Sequence, residues 1–151
     1  MMIELTKRLE QSEQAETTLT LPLESRIKSR IRVVLDDGRE AGLFLERGLV
    51  LNEGDLVASE DGVVVEIKAA AEKLSIVSCL DSLMMAKACY HLGNRHVALQ
   101  IEPHELSYLH DHVLDDMLRG LGLTVVVEMA PFSPEPGAYG NRESSHHHHS
   151  H

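Results

Sequence analysis

The sequence predicts an α+β protein in three parts: a small all-β domain over residues 1–70, a ferredoxin-like βαββαβ domain over 71–138, and a disordered His-rich tail over 139–151. Three observations carry this reading. Strand-like runs around Asp-Gly turns fill the first part. Strand and helix periods then alternate. From Pro131 the pattern fades, and Asn141 to His151 has no apolar residue with which to bury a core.

In the first part, Thr17 to Leu21 alternates and is rich in β-branched residues. Arg30 to Leu35 runs into Asp36-Asp37-Gly38 and then Arg39 to Leu45, a hairpin signal. The pattern recurs as Asp55 to Ala58, the turn Ser59-Glu60-Asp61-Gly62, and Val63 to Ile67. Short strands with Gly turns suggest a small barrel or sandwich. Arg26, Lys28, Arg30 and Arg32 are spaced by two, which in an extended strand places all four on one face. Such a strip could meet an acidic partner, although alternating charge usually marks a solvated sheet face.

In the second part, Lys73 to Ser78 reads as a strand. Asp81 or Ser82 can cap a helix that runs through Leu83, Met84, Ala86, Cys89 and Tyr90 to Gly93. Val97 to Ile101 reads as a strand, Glu102-Pro103-His104 as a turn, and Glu105 to Leu109 as a strand. After Asp111, the residues Val113, Leu114, Met117, Leu118 and Leu121 share one helical face, closed by Gly120 and Gly122. Thr124 to Val127 is the last strand. The order β-α-β-β-α-β is the split βαβ motif.

Charge excludes some functions. Against 14 Lys+Arg stand 24 Asp+Glu among 151 residues, a formal net charge of −10. A non-specific nucleic-acid binder needs the opposite balance, as does a protein that docks on anionic lipid. No apolar run approaches the roughly 20 residues of a membrane span. Met1 to Glu10 carries four charges and no apolar core of a signal peptide, so a cytoplasmic protein is expected. Cys79 and Cys89 form neither a disulfide framework nor a CxxC pair, and read as small, reduced, half-buried side chains. With no Trp, 2 Phe and 3 Tyr, the core must be aliphatic.

Histidine is the unusual residue. Of 10, five (His146, His147, His148, His149 and His151) lie in the last six positions, and five (His91, His96, His104, His110 and His112) within a 22-residue window. Adjacent imidazoles at a chain end can wrap Ni(II), Cu(II) or Zn(II), and imidazole suits all three. An expression tag has a similar composition, but here the run is broken by Ser150. In His110-Asp111-His112 the two imidazoles share a side only if the stretch is extended. Otherwise Asp111 is a cap and the histidines face solvent. His96, taken alone, is more often structural than a ligand. Beside a two-fold axis it would supply two imidazoles from one position.

Catalytic patterns are missing. His104-Glu105-Leu106-Ser107-Tyr108 breaks HExxH, and neither GxSxG nor a P-loop occurs. Gly120-Leu121-Gly122 is no dinucleotide fingerprint. Asp115-Asp116 reads as solvated charge on a helix surface.

The segments Cys89-Tyr90-His91-Leu92-Gly93-Asn94-Arg95-His96 and His110-Asp111-His112-Val113-Leu114-Asp115-Asp116-Met117-Leu118 resemble the UreE family of urease accessory proteins, nickel metallochaperones of urease maturation. The likeness extends to Val33, Leu35 and Asp36 to Gly42 upstream, and to Gly137-Ala138-Tyr139 and the His-rich end downstream. The resemblance implies a homodimer, an N-terminal β domain that binds partner proteins, and a C-terminal ferredoxin-like metal-binding domain. It implies that His96 is the nickel ligand at the dimer interface. His110 and His112 are then further metal-binding residues, and His91 lies in the same matched segment. His146 through His151 would hold extra nickel, though five histidines make a short store. The chain would be a carrier, not an enzyme, delivering Ni(II) to apo-urease within an accessory complex that includes a GTPase. Two other readings stand beside it. One is a metal-dependent hydrolase using His110, His112 and Asp111, which would need a third fixed ligand and a general base. The other is a protein-interaction module that binds no metal.

Overall fold

The computed structural model describes residues 2–136. They form two compact units, the first closing at Ala70 and the second opening at Ala71. The protein is mixed α+β, with strands dominating the first unit.

The first unit is one mixed sheet of six strands, β1 (Ile3–Arg8), β2 (Thr17–Leu21), β3 (Arg30–Val34), β4 (Glu40–Phe44), β5 (Leu56–Ser59) and β6 (Val64–Ala69), with one short helix, α1 (Leu23–Arg26). Their order is β2-β6-β5-β1-β4-β3. The predicted hairpins are present: β3 pairs antiparallel with β4, and β5 with β6. Gly38 and Gly62 take φ of 97° and 99° in the two turns, where any side chain would be strained. The edge strands are stitched together at Asp36. Its backbone N–H donates to Thr18 O, and its Oδ2 accepts from the hydroxyls of Thr18 and Thr20 at 2.6 and 2.7 Å. Hydrogen bonds from these hydroxyls hold the Asp36 carboxyl below the usual carboxylate range despite the opposing effect of burial. The core is aliphatic, built on Leu5, Leu19, Leu43, Leu51, Val57, Val65 and Ile67.

Two features of this unit depart from the sequence reading. The N-terminal segment is a central strand, β1, parallel to β4 and antiparallel to β5. Its charges mask a short alternation in which Leu5 is fully buried. The basic strip does not exist as a strip. Arg26 belongs to α1 and is fully buried, Lys28 lies outside any strand, and only Arg30 and Arg32 share the exposed face of β3.

The second unit follows the expected order: β7 (Ala71–Ser78), α2 (Ser82–Asn94), β8 (Gln100–Glu102), β9 (Glu105–Leu109), α3 (His112–Gly120) and β10 (Val125–Pro131). The sheet order is β10-β7-β9-β8, antiparallel throughout, as a split βαβ topology requires. Strand and helix residues including Val77, Ala88, Leu92, Leu106, Tyr108, Leu114, Leu118 and Val125 form its core. The edge strand β8 is shorter than predicted, Gln100–Glu102 rather than Val97 to Ile101, because the closure of α2 draws Val97 back onto Leu92. The last strand is longer, reaching Pro131. It is an edge strand, where a residue without an N–H is tolerated. Beyond it Phe132 is fully buried. The predicted disordered tail lies outside the described residues. Among those described, no helix is long and apolar enough to cross a membrane.

Candidate metal-binding residues

Both helices of the second unit begin on an aspartate. Asp81 Oδ1 accepts from the N–H groups of Leu83 and Met84, and Asp111 Oδ1 from those of Val113 and Leu114. Each cap satisfies donors that the first helical turn leaves open.

The two helices also end alike. In α3, Gly122 N–H donates to Arg119 O at 2.9 Å and Leu123 N–H to Leu118 O at 3.1 Å, with Gly122 at φ 95°. This is a Schellman closure with glycine in the left-handed position. In α2, His96 N–H donates to Gly93 O at 3.0 Å and Val97 N–H to Leu92 O at 3.4 Å. The closure is the same, but its left-handed residue is His96, at φ 57°. The sequence suggested that α2 would stop at Gly93. The cap instead takes the register that sets Val97 against the buried Leu92, the apolar pair that accompanies this motif. His96 is thereby exposed at the end of the helix. Along α2, Leu83, Ala86 and Tyr90 are exposed at helical spacing, and Leu80 just before the helix is exposed as well.

His110 and His112 flank the α3 cap. Asp111 between them is extended, φ −154° and ψ 114°, so the two histidines leave the chain on the same side. His112 is the first residue of α3 and is exposed. His110 is half-buried and firmly placed. Its N–H donates to Lys73 O at 2.9 Å. Its ring Nδ1 stands 3.1 Å from Ser75 Oγ and 3.2 Å from Asp115 Oδ2. Asp115 is buried, with Tyr108 Oη–H donating to its Oδ1 at 2.7 Å. Burial and this neighbouring carboxylate push the Tyr108 phenol well above its ordinary range, so it stays a donor.

Asp115 is thus not solvated surface charge. Asp116 is exposed, but Asp115 turns inward with Leu114 and Leu118, and Val113 of the expected apolar face points out. Ser75 and Tyr108 had no signal in the sequence. Asp115 had one: it lies one residue from Leu114 and three from Leu118, inside the buried arc of α3.

His91 is half-buried in α2, its ring edge-on to Tyr90 at 5.2 Å between centroids. Cys79 and Cys89 are free and half-buried, as expected. Burial pushes the Cys89 thiol up, away from the thiolate a metal needs. Among the described residues, no three His, Cys, Asp or Glu side chains converge into a cluster able to hold a metal ion. His146, His147, His148, His149 and His151 lie outside the described residues.

Two family models match this chain, the N-terminal domain of the UreE urease accessory protein over residues 3–70 and its C-terminal domain over residues 72–151. The chain belongs to the UreE family. It is 58% identical to the urease accessory protein UreE of Citrobacter koseri over 148 residues, 97% of each chain. To that of Alkalilimnicola ehrlichii it is 61% identical over 139 residues, 92% of this chain and 85% of the other. To that of Escherichia coli O157:H7 it is 53% identical over 154 residues, 99% and 100% of the two chains. UreE proteins are accessory chaperones rather than enzymes. His96, His110 and His112 all fall within the span matched by the UreE C-terminal domain.

Proposed function

We propose that this chain is a cytoplasmic Ni(II) carrier of urease maturation that works as a homodimer. The observation that carries the reading is the placement of His96. It is an exposed imidazole at the end of a helix whose outer face exposes Leu83, Ala86 and Tyr90 beside Lys87. Two copies meeting through such a face about a two-fold axis bring two His96 imidazoles together. A site of so few ligands is open. It takes a metal reversibly and releases it by ligand exchange, unlike a closed four-ligand structural site. His110 and His112 offer a second pair on each copy, and the tail histidines a further, looser one. The recipient is apo-urease, within a complex of accessory proteins that includes a GTPase. The first unit is the docking module for those partners. Imidazole also suits Cu(II) and Zn(II), so these are expected to compete in vitro.

The hydrolase reading loses support from Asp111, whose carboxylate is engaged as the α3 cap. The third reading, an interaction module that binds no metal, is separable by experiment. Nickel titration calorimetry on the chain ending at Glu143, with and without His96→Ala, is the test, with mass measured in solution. The expected result is a dimer with one tight site per two chains, lost in the variant. Absence of nickel binding without the tail would overturn the carrier reading. Two companion results are expected. Tyr90→Glu should convert the dimer to monomer and remove the tight site with it, since a charge on that face is left unpaired and desolvated. Nickel binding should also weaken on acidification, because protons compete for the ring nitrogens. Binding unchanged down to about pH 5 would rule out imidazole ligation.

A further inference from the structure

Asp115 is a buried carboxylate, 1% exposed, on the inner face of α3. Such a group is costly to bury unless it is well partnered. Two of its contacts define its role. Tyr108 donates its O–H to Oδ1 at 2.7 Å, and Oδ2 stands 3.2 Å from Nδ1 of His110. The same Nδ1 lies 3.1 Å from the hydroxyl of Ser75, which is fully buried.

This geometry selects a tautomer. A bare Nδ1 lone pair facing a carboxylate oxygen at that distance would be repelled. A proton on Nδ1 is attracted by Asp115 and can be shared with Ser75 Oγ. Neutral His110 therefore carries its proton on Nδ1 and its lone pair on Nε2. The ring edge that bears Nδ1 is turned toward the buried Ser75 and Asp115, while the side chain as a whole keeps 28% of its surface exposed. The main chain is pinned as well, by His110 N–H on Lys73 O.

We propose that Asp115 is the positioning residue of His110: it locks the ring in the Nδ1–H form and presents Nε2 as a ready metal donor on the same side of the chain as His112. The inference rests on the carrier reading and deepens it. A carboxylate behind a ligating imidazole fixes its orientation and raises its basicity, and its loss typically costs 10–100-fold in metal affinity. His96 has no such partner among the described hydrogen bonds and ion pairs. The two positions are thus built differently, one pre-oriented within a single chain and one free to adapt.

The test uses the full-length chain with the five tail histidines changed to Ser, its imidazoles labelled with ¹⁵N, metal-free at about pH 8, where imidazole is neutral. Long-range proton–nitrogen correlation spectra read the tautomer, and the His110 signals are then followed as Zn(II) is added. The parent is expected to show Nδ1–H. Asp115→Asn keeps the size but can donate an amide N–H to Nδ1. It should switch His110 to Nε2–H and raise the Zn(II) concentration for half-saturation of His110 about 10–100-fold. An Nε2–H parent, or a variant that keeps both tautomer and affinity, overturns the role of Asp115 while leaving the carrier reading intact. A parent in which His110 ignores Zn(II) altogether overturns His110 as a ligand, and the proposal with it. Should the asparagine chain not fold, Tyr108→Phe removes only the O–H on Oδ1. The carboxylate then bears harder on Nδ1–H, and that proton should move downfield. No movement overturns the proposal.

Discussion

His96→Gly is expected to yield a chain at least as stable as the parent that has lost the tight nickel site of the dimer. The backbone of His96 is left-handed, at φ 57°. That conformation costs a residue with a Cβ about 1 kcal/mol, and glycine nothing. The greater freedom of glycine in the unfolded chain takes back roughly 0.5–1 kcal/mol. The net change is therefore between zero and a gain of about 0.5 kcal/mol, by the same balance. His96→Ala removes the same imidazole but keeps the strained Cβ, so it gains nothing. The pair separates metal from fold. Calorimetric melting without nickel should rank glycine at or above the parent and alanine at or below it. Added nickel should raise the melting temperature of the parent more than that of either variant, which keeps only His110, His112 and the tail, since binding stabilises only the state that binds. A glycine chain that still binds nickel as tightly would remove His96 from the site. A glycine chain less stable than the alanine one would refute the strain argument.

The comparison with α3 sharpens this. The same Schellman closure there carries Gly122 at φ 95°. A chain selected for stability alone would place glycine in both caps. The exposed His96 stands where the helix-closing motif prefers glycine.

Which features were legible in the sequence follows from the range of the interactions behind them. The Asp-Gly hairpins, the aspartate caps and the split βαβ order depend on neighbours in sequence, and each was readable. The β1 strand was not, because Glu4, Lys7 and Arg8 obscure the alternation around Leu5. Its place in the sheet is set by pairing with Ala41 to Leu43, far along the chain. The closing register of α2 was missed because Gly93 suggested an end that the Leu92–Val97 pair outweighs. On the candidate site, His96, His110 and His112 were named from the family resemblance. Their supports were not. Ser75 reaches His110 across two paired strands, and Asp115 does so from a helix whose inner arc the spacing of Leu114 and Leu118 marks as apolar.

The other large effect expected concerns Arg26. As one member of a basic strip its loss would change little. As a fully buried side chain, its loss should be severe. Its Nε donates to Leu21 O at 3.0 Å and its Nη1 to Leu51 O at 3.2 Å. The backbone answers in return, with Leu51 N–H on Arg26 O at 3.1 Å. The guanidinium thus fastens the segment between β4 and β5 to the end of β2. Arg26→Ala leaves a cavity and strips a charged donor from buried carbonyls, and should cost about 3 kcal/mol or more. For a unit of this size that is a fall of roughly 10–20 °C in melting temperature. Arg26→Lys should recover only part of it, because an ammonium cannot reproduce the planar fork that spans both carbonyls. The two hydrophobic cores share no residue, so melting followed at each unit should show the loss in the first and little change in the second. Nickel affinity at His96 should then persist at temperatures where the first unit has melted. Equal destabilisation of both units would show that they unfold as one. A change under about 1 kcal/mol would show that the carbonyls find other donors, and that the burial of Arg26 contributes packing alone.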